Sequence, residues 1–241
     1  PQSGAQRGWV LDNADPNGLG RIKVQFPWQK PMGTSTPWIK MATPYSGSGK
    51  GFYFIPEKDE EVLVGFEGDN PEKPFVLSAG FNSSASSGFA DADNNIKAIK
   101  TRSGHIIELN DTDGGERITI KDKNENIFQI DTATNDITIN ANNNVNVNAV
   151  ESIKLSAKNI EFNAQEDIVS QAGKSIKDSA NENHNILAKN KNEVIEENIK
   201  VQSKSCENTS EEIAINSTAK NLILFSQKSV DIQSNEKVKL F

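Results

Sequence analysis

Apolar residues in the second half of this chain recur in pairs, with about eight residues from one pair to the next. Within a pair the residues stand at positions i and i+2, so both side chains lie on one face of an extended strand. Polar stretches such as Asn142-Asn143-Asn144 separate the pairs and predict turns. The main paired positions are Ile137, Ile139, Val145, Val147, Ile153, Leu155, Ile160, Phe162, Ile213, Ile215, Leu222, Leu224, Val230 and Ile232.

A strand unit this short cannot bury its apolar face alone, whereas stacked copies can. The repeat therefore predicts a β-solenoid or β-prism, a long rigid rod, over residues 96–241. The pattern weakens in residues 177–212, where the candidate inward positions are Ile186, Val194 and Val201.

Residues 1–82 have a different pattern, in which short strand candidates alternate with turn sequences such as Asp15-Pro16-Asn17-Gly18. Five or six short strands in about 80 residues predict a small β-barrel, and the oligonucleotide/oligosaccharide-binding (OB) fold is the leading candidate. The predicted strands are residues 8–11, 21–26, 36–41, 51–55, 61–67 and 75–79.

The sequence thus predicts an all-β chain in three segments. Residues 1–82 form the OB-fold barrel, and residues 83–95 form a linker of Ser, Ala and Asp without periodicity. Residues 96–241 form the repeat-built rod, and residues 96–110 and 116–130 contain its first strands.

Composition and charge narrow the classes of function. A hydrophobic content of 35% with a net charge of -7 is compatible with disorder, but disordered chains have no reason to hold Ile and Val in register. The acidic balance argues against a nucleic-acid or anionic-membrane partner, since both require clustered Lys and Arg. The sequence has no apolar run of about 20 residues to span a bilayer and no signal-peptide pattern at its start.

No catalytic motif or cofactor fingerprint is evident, so the chain is expected not to be an enzyme and to need no cofactor. Cys206 is the only cysteine, which excludes an intrachain disulfide. No metal site is predicted from a single chain. A threefold axis would allow an axial ion at His184, and the alternative is an outward, solvated histidine.

Three sequence blocks, in a fixed order before the octads, carry a family resemblance. They are GWVLDNADPNGLGRIKVQFPW (8–28), TPWIKMATPYSGSGKGFYFIPEKDEEVLVGFEGDNPEKPFVLSAGFN (36–82) and TRSGHIIELNDTDGGERITI (101–120). With the octads, they resemble the central and C-terminal parts of the VgrG spike proteins of type VI secretion systems. They also resemble the baseplate spikes of contractile phage tails.

The resemblance implies a homotrimer in which three OB barrels surround an axis and three chains intertwine into a triple-stranded β-helix needle. The paired residues would then line the trimer axis. It further implies a membrane-puncturing spike that carries a PAAR-type tip protein and effectors. Such a spike joins an Hcp-like tube through a large N-terminal base domain, which is expected to be missing from this chain.

The same resemblance implies assembly in the bacterial cytoplasm and delivery to the exterior or to a target cell by a contractile apparatus, without a signal peptide. The octads continue through Val238, Leu240 and Phe241, so these residues are expected to form an apolar docking face for the tip protein.

Three alternatives remain open at the level of sequence. A single-chain β-helix that binds or cleaves polysaccharide is one, because three eight-residue strands per coil also build a solenoid. A spike from a phage tail or an extracellular contractile injection system is another. The third is a single-stranded nucleic-acid-binding OB protein, although nucleic acid is not the expected partner.

Overall fold

The computed structural model describes residues 4–236 and 238. The chain is almost entirely β-structure and divides into two units, residues 1–158 and residues 159–241. Among the described residues, no helix is long and apolar enough to cross a bilayer. The strands are β1 (Gln6–Asp12), β2 (Lys23–Gln25), β3 (Ser46–Gly47), β4 (Lys50–Gly51), β5 (Glu61–Phe66), β6 (Pro74–Ala79), β7 (Ile96–Lys100), β8 (Ile106–Asn110), β9 (Arg117–Lys121), β10 (Ile127–Asp131) and β11 (Asp136–Asn140), with 3-10 helices at Lys30–Met32 and Glu67–Asp69.

The N-terminal strands form an antiparallel sheet in the order β2-β1-β5-β6, and residues 39–41 join its two edges. Ile39 bridges to Ile22, next to β2, and Met41 bridges to Val76 in β6. The backbone N–H of Ile39 donates to the Ile22 carbonyl at 2.9 Å, and that of Ala42 donates to the Val76 carbonyl at 2.7 Å. The sheet therefore closes on itself, as the predicted β-barrel requires.

The barrel is filled by β-branched residues that alternate along each strand. Apolar residues at every second position of β1, β2 and β5 face inward, which is the period-2 pattern of a half-buried strand. The buried apolar core consists of Val10, Ile22, Val24, Phe26, Ile39, Val62, Val64 and Val76.

Two predicted strands differ from the structure. The strand predicted at residues 51–55 is wrong. Only Gly51 lies in a strand, at the end of the short hairpin β3–β4, and residues 52–55 form no strand. The aromatic residues Phe52, Tyr53 and Phe54 are exposed. The strand predicted at residues 36–41 is reduced to single bridges at Ile39 and Met41. The predicted domain bounds at residues 82 and 95 follow the sequence pattern and stay a prediction.

The loop between β1 and β2 is held by one carboxylate. Asp15 accepts hydrogen bonds from the backbone N–H groups of Asn17 at 3.0 Å, Leu19 at 3.1 Å and Arg21 at 3.2 Å. The Arg21 guanidinium donates two more, each at 2.8 Å, while the Asp15 side chain is only 2% exposed. The Arg21 hydrogen bonds, followed by those from the backbone, hold the pKa of the Asp15 carboxyl well below its ordinary value.

Strands β7 to β11 form a second antiparallel sheet in which every strand pairs with its neighbours along the chain. The register of each hairpin is regular over all five residues, for example from Ile96 opposite Asn110 to Lys100 opposite Ile106. The strands predicted within residues 96–110 and 116–130 are confirmed as β7, β8, β9 and β10.

Removing a core side chain should destabilise the barrel. Ile22 is fully buried, so we expect Ile22→Ala to lower the free energy of unfolding by about 2–5 kcal/mol through lost transfer energy and the cavity left behind. Leu19→Ala is the matched control, because that side chain is 68% exposed. Denaturant unfolding would measure both, and equal effects would contradict the assigned core.

Removing the Asp15 carboxylate should destabilise the β1–β2 loop in a pH-dependent way. The folded-state pKa of Asp15 lies below the unfolded value of about 3.9. The stability that the Asp15 carboxylate contributes is therefore fully present above about pH 3.9 and is lost as the pH falls through the folded-state pKa. We expect Asp15→Asn to melt earlier than the unsubstituted protein at pH 7. The difference should shrink below about pH 4. Asp113→Asn, at an exposed turn, is the control, and a pH-independent difference would contradict the assignment.

Candidate functional site

One face of the five-stranded sheet is apolar and exposed. Two rows of side chains cross it, one from Ile99 on β7 to Ile139 on β11 and the other from Leu109 on β8 to Ile137 on β11. Monomeric proteins rarely expose apolar patches beyond a few hundred Å², so this face has the character of an interaction surface. Its members are Ile99, Ile107, Leu109, Ile118, Ile120, Phe128, Ile130, Ile137 and Ile139, all exposed except the half-buried Ile130.

The barrel contributes to the same surface. Phe54, which follows the β3–β4 hairpin, lines a groove of about 600 Å³ together with Ile99, Ile107 and Ile120 of the sheet. The Arg102 guanidinium donates a hydrogen bond to the Glu57 carboxylate at 2.8 Å, and this bond ties the β7–β8 turn to the barrel. The exposed apolar face therefore extends from Phe54 of the barrel to Ile139 on β11.

The chain leaves the sheet at a point fixed by side-chain hydrogen bonds. The Asn142 backbone N–H donates to the Asn126 side-chain oxygen at 2.9 Å, and its side-chain amide donates to the Asn124 carbonyl oxygen. Asn126 in turn donates to the Asp122 carboxylate at 2.8 Å. This bond is the main reason that the pKa of Asp122 is lowered. The first turn after β11 is thus anchored to the turn between β9 and β10.

Residues 141–236 differ from the sheet because they form no strand ladder within the described chain. Their hydrogen bonds from side chains span only two or three residues beyond Asn142, as between Ser210 and the Glu212 carbonyl at 2.7 Å. Even so, the backbone bends at a regular interval of seven to nine residues. The bends begin at residues 142, 150, 158, 165, 173, 181, 189, 196, 204, 211, 218, 227 and 235.

The predicted apolar pairs have a constant position relative to these bends. In each case the pair occupies the second and fourth residues after the bend, as Ile160 and Phe162 do after the bend at Lys158. The paired residues listed from the sequence between Val145 and Ile232 are 48–69% exposed, whereas Val150 and Leu187, outside the pairs, are fully exposed. Each pair therefore has the same place relative to its bend, and the place of the pairs on a trimer axis stays a prediction.

The bend positions extend the octads through residues 177–212, where the sequence pattern is weak. Of the candidate inward positions, Ile186 and Val201 stand at pair positions, as Ile199 also does. Val194 lies outside the pair positions and is 93% exposed in the single chain, and the inward assignment of all three stays a prediction.

The same spacing shows which polar residues take pair positions. His184 stands beside Ile186, Lys191 beside Glu193, and Cys206 beside Asn208, each two and four residues after a bend. Ser170 and Asp178 take the fourth position beside Ile168 and Ile176. The described residues hold no group of three or more His, Cys, Asp or Glu side chains that could bind a metal ion. An axial ion at His184 therefore depends on several chains and stays a prediction.

The predicted tip-docking residues are only partly described. Val238 takes the pair position after the bend at residues 235–236 and is 47% exposed. Leu240 and Phe241 lie outside the described residues.

Comparison with known proteins identifies the barrel. Residues 6–81 match the family described as "Type VI secretion system/phage-baseplate injector OB domain". This range contains strands β1 to β6 and the whole buried core of the barrel.

The curated relatives are named as type VI secretion system spike proteins or, in one case, as an actin cross-linking toxin. The chain is 26% identical to the type VI secretion system spike protein VgrG3 of Vibrio cholerae over 111 residues, which is 42% of this chain and 11% of the relative. It is 33% identical over 60 residues to the actin cross-linking toxin VgrG1 of Vibrio cholerae, covering 24% of this chain and 6% of the relative. It is 37% identical over 60 residues to the spike protein VgrG4b of Pseudomonas aeruginosa, covering 24% and 7%.

The chain thus aligns with 6–11% of the length of these relatives. The matched family and the names of the relatives agree with the resemblance drawn from the ordered sequence blocks. The chain is therefore related to the VgrG-type spike proteins of type VI secretion systems, and its residues 6–81 form an injector OB domain of the type VI and phage-baseplate family.

Proposed function

We propose that the chain is a structural, non-enzymatic component of a contractile injection machine, and that three copies form the shaft of its spike. In this proposal the barrel and the five-stranded sheet form a collar. Residues 141–241 of the three chains intertwine into a triple-stranded β-helix, with the apolar pairs on the common axis.

The observation that carries the proposal is the unpaired octad region. Residues 141–236 bend at regular intervals and carry most apolar pairs at a constant distance after a bend, yet the described chain forms no strand ladder with itself there. Backbone N–H and C=O groups and apolar faces need partners for stability. Copies of the same chain supply both, because strands from different chains can alternate around the axis and leave no free edge.

The same observation argues against the main rival. A single-chain β-helix stacks each coil on the previous coil of its own chain, so its strands pair within the chain. Residues 141–236 lack such pairing, which favours an intermolecular β-helix over a polysaccharide-binding solenoid. A phage-tail or extracellular injection spike remains a second candidate, because the matched family includes phage-baseplate domains.

Partners and location follow from the same proposal. A spike shaft would carry a PAAR-type tip protein and effectors and would connect to an Hcp-like tube through a base domain. It would be assembled in the bacterial cytoplasm and delivered outside by contraction. Mechanical penetration of a target membrane then depends on the stiffness of a fully paired β-structure, and no membrane-spanning helix is needed.

The trimer is tested by light scattering after size-exclusion chromatography. We expect a molar mass three times the 26.4 kDa of the chain, independent of protein concentration. Val147→Asp should abolish the trimer or lower its melting temperature strongly, because three carboxylates would be buried close together.

Val150→Asp is the matched control, since that residue lies three positions away and is fully exposed. It should leave both the molar mass and the melting temperature unchanged. A monomeric unsubstituted protein, or equal effects of the two substitutions, would refute the proposed shaft.

Tip docking is tested at Val238. If this pair position contributes to an apolar platform, Val238→Asp should weaken capture of a purified PAAR-type protein at least tenfold and leave the trimer assembled. Glu236→Asp, at the preceding bend, is the control. Unchanged capture by the Val238→Asp trimer would exclude this residue from the platform.

A further inference from the structure

We propose that the polar pair Lys191 and Glu193 sets the register of the three chains in the shaft. This inference rests on the proposed trimer and adds a role for one octad within it. The partner of this surface is a second and a third copy of the same chain, aligned at the same octad.

Register is a physical problem for this sequence because its octads are so similar. A slip of one chain by one octad would bring Val145 and Val147 beside Ile153 and Leu155, and an apolar pair would again meet an apolar pair. Segments with such uniform patterns are prone to register slippage unless some element distinguishes one alignment. The apolar octads therefore stabilise the shaft without specifying its alignment.

The octad after the bend at Lys189 is different. Lys191 and Glu193 occupy its second and fourth positions, which hold apolar pairs in most other octads, and this is the octad in which both positions are charged. The Lys191 ammonium contacts the Glu193 carboxylate at 3.0 Å, and the two side chains are 59% and 53% exposed. The ion pair therefore has the same place relative to its bend as the apolar pairs have relative to theirs.

In an aligned trimer this octad would form a layer of three ammonium and three carboxylate groups with no net charge. One Lys has three donors and one carboxylate has about four acceptor positions, so a pair within one chain leaves most of them unused. Neighbouring chains in the same register can use the remaining donors and acceptors. The layer is thus complete only when all three chains are aligned.

In a slipped alignment the Lys191 donors and Glu193 acceptors lose the hydrogen-bond partners that neighbouring chains would provide. One octad towards the N-terminus the pair positions hold His184 and Ile186, and one octad towards the C-terminus they hold Ile199 and Val201. Lys191 and Glu193 of a slipped chain would face these residues with unsatisfied donors and acceptors in a dry layer. A single polar layer in an otherwise apolar repeat is an attested device for fixing register, at a cost in stability.

The chain carries its own reporter of register. Cys206 is the only cysteine, it is exposed in the single chain, and it stands at a pair position two octads beyond Lys191. In aligned chains the three thiols lie at one level beside the axis, where a mild oxidant joins two of them as a disulfide. In slipped chains the thiols lie at different levels.

The test compares the full-length protein with Lys191→Val/Glu193→Val after both have been unfolded and refolded under reducing conditions. Light scattering measures the molar mass, and oxidation by copper phenanthroline followed by denaturing electrophoresis measures the Cys206-linked dimer. We expect both proteins to be trimers, with equal or higher melting temperature for the variant. We expect the yield of linked dimer in the variant to fall at least threefold.

The matched control is Lys189→Val/Glu196→Val, which removes the same two types of charge at bend positions outside the pairs. It should cross-link as the unsubstituted protein does. Equal cross-linking of the Lys191→Val/Glu193→Val trimer would overturn the proposal and assign the register to another element. So would weak cross-linking of the unsubstituted trimer. A monomeric unsubstituted protein would instead refute the proposed shaft.

Discussion

The hydrogen-bond requirement of the extended backbone is the constraint on which the structure of this chain depends. Each residue brings one carbonyl acceptor and, except for proline, one N–H donor, and both must be satisfied wherever water is excluded. The first half of the chain meets this need internally, through a closed barrel and a meander sheet. The second half repeats strand-sized segments over residues 141–236 without pairing them to one another. That contrast is the physical basis of the proposed assembly.

The five-stranded sheet connects these two regimes. The backbones of its five strands are hydrogen-bonded to one another within the chain. The side chains of its apolar face, however, are exposed and not buried by any other part of the described chain. Ile137 and Ile139 belong both to the last strand of this sheet and to the first apolar pair of the octads. The hydrogen bonds from Asn142 to the β9–β10 turn fix where the change occurs. The residues proposed to contact other copies therefore begin in the sheet and continue along the sequence into the repeats.

The octads combine strength and ambiguity in the same residues. In the proposed shaft, stacked Ile, Leu and Val pairs would give a favourable apolar interior, yet their uniformity would make alternative alignments similar in energy. The polar pair positions at His184, Lys191 and Cys206 break that uniformity within residues 177–212. A segment that reads as a weak part of the repeat is thus the part that distinguishes one octad from the next.

Sequence by itself determined the elements whose signal is local. The period-2 alternation located most barrel strands and the strands of the sheet, and the i, i+2 pairs gave the octad spacing later seen in the bends. The ordered blocks around residues 8–28 and 36–82 identified the OB domain, because turn residues and alternating Val and Ile sit at fixed distances along the chain. These features depend on neighbours within about ten residues, and so they can be read directly from the sequence.

Only the tertiary structure decided the features that depend on distant residues. Residues 39–41 close the barrel because Ile22 and Val76 lie at its two edges, which no local pattern reveals. The aromatic run at residues 52–54 resembles a strand but is exposed, since the closed barrel leaves no edge for it to pair with. The spacing of the bends puts Lys191 at a pair position and Val194 outside one, which is the reverse of what hydrophobicity alone predicts.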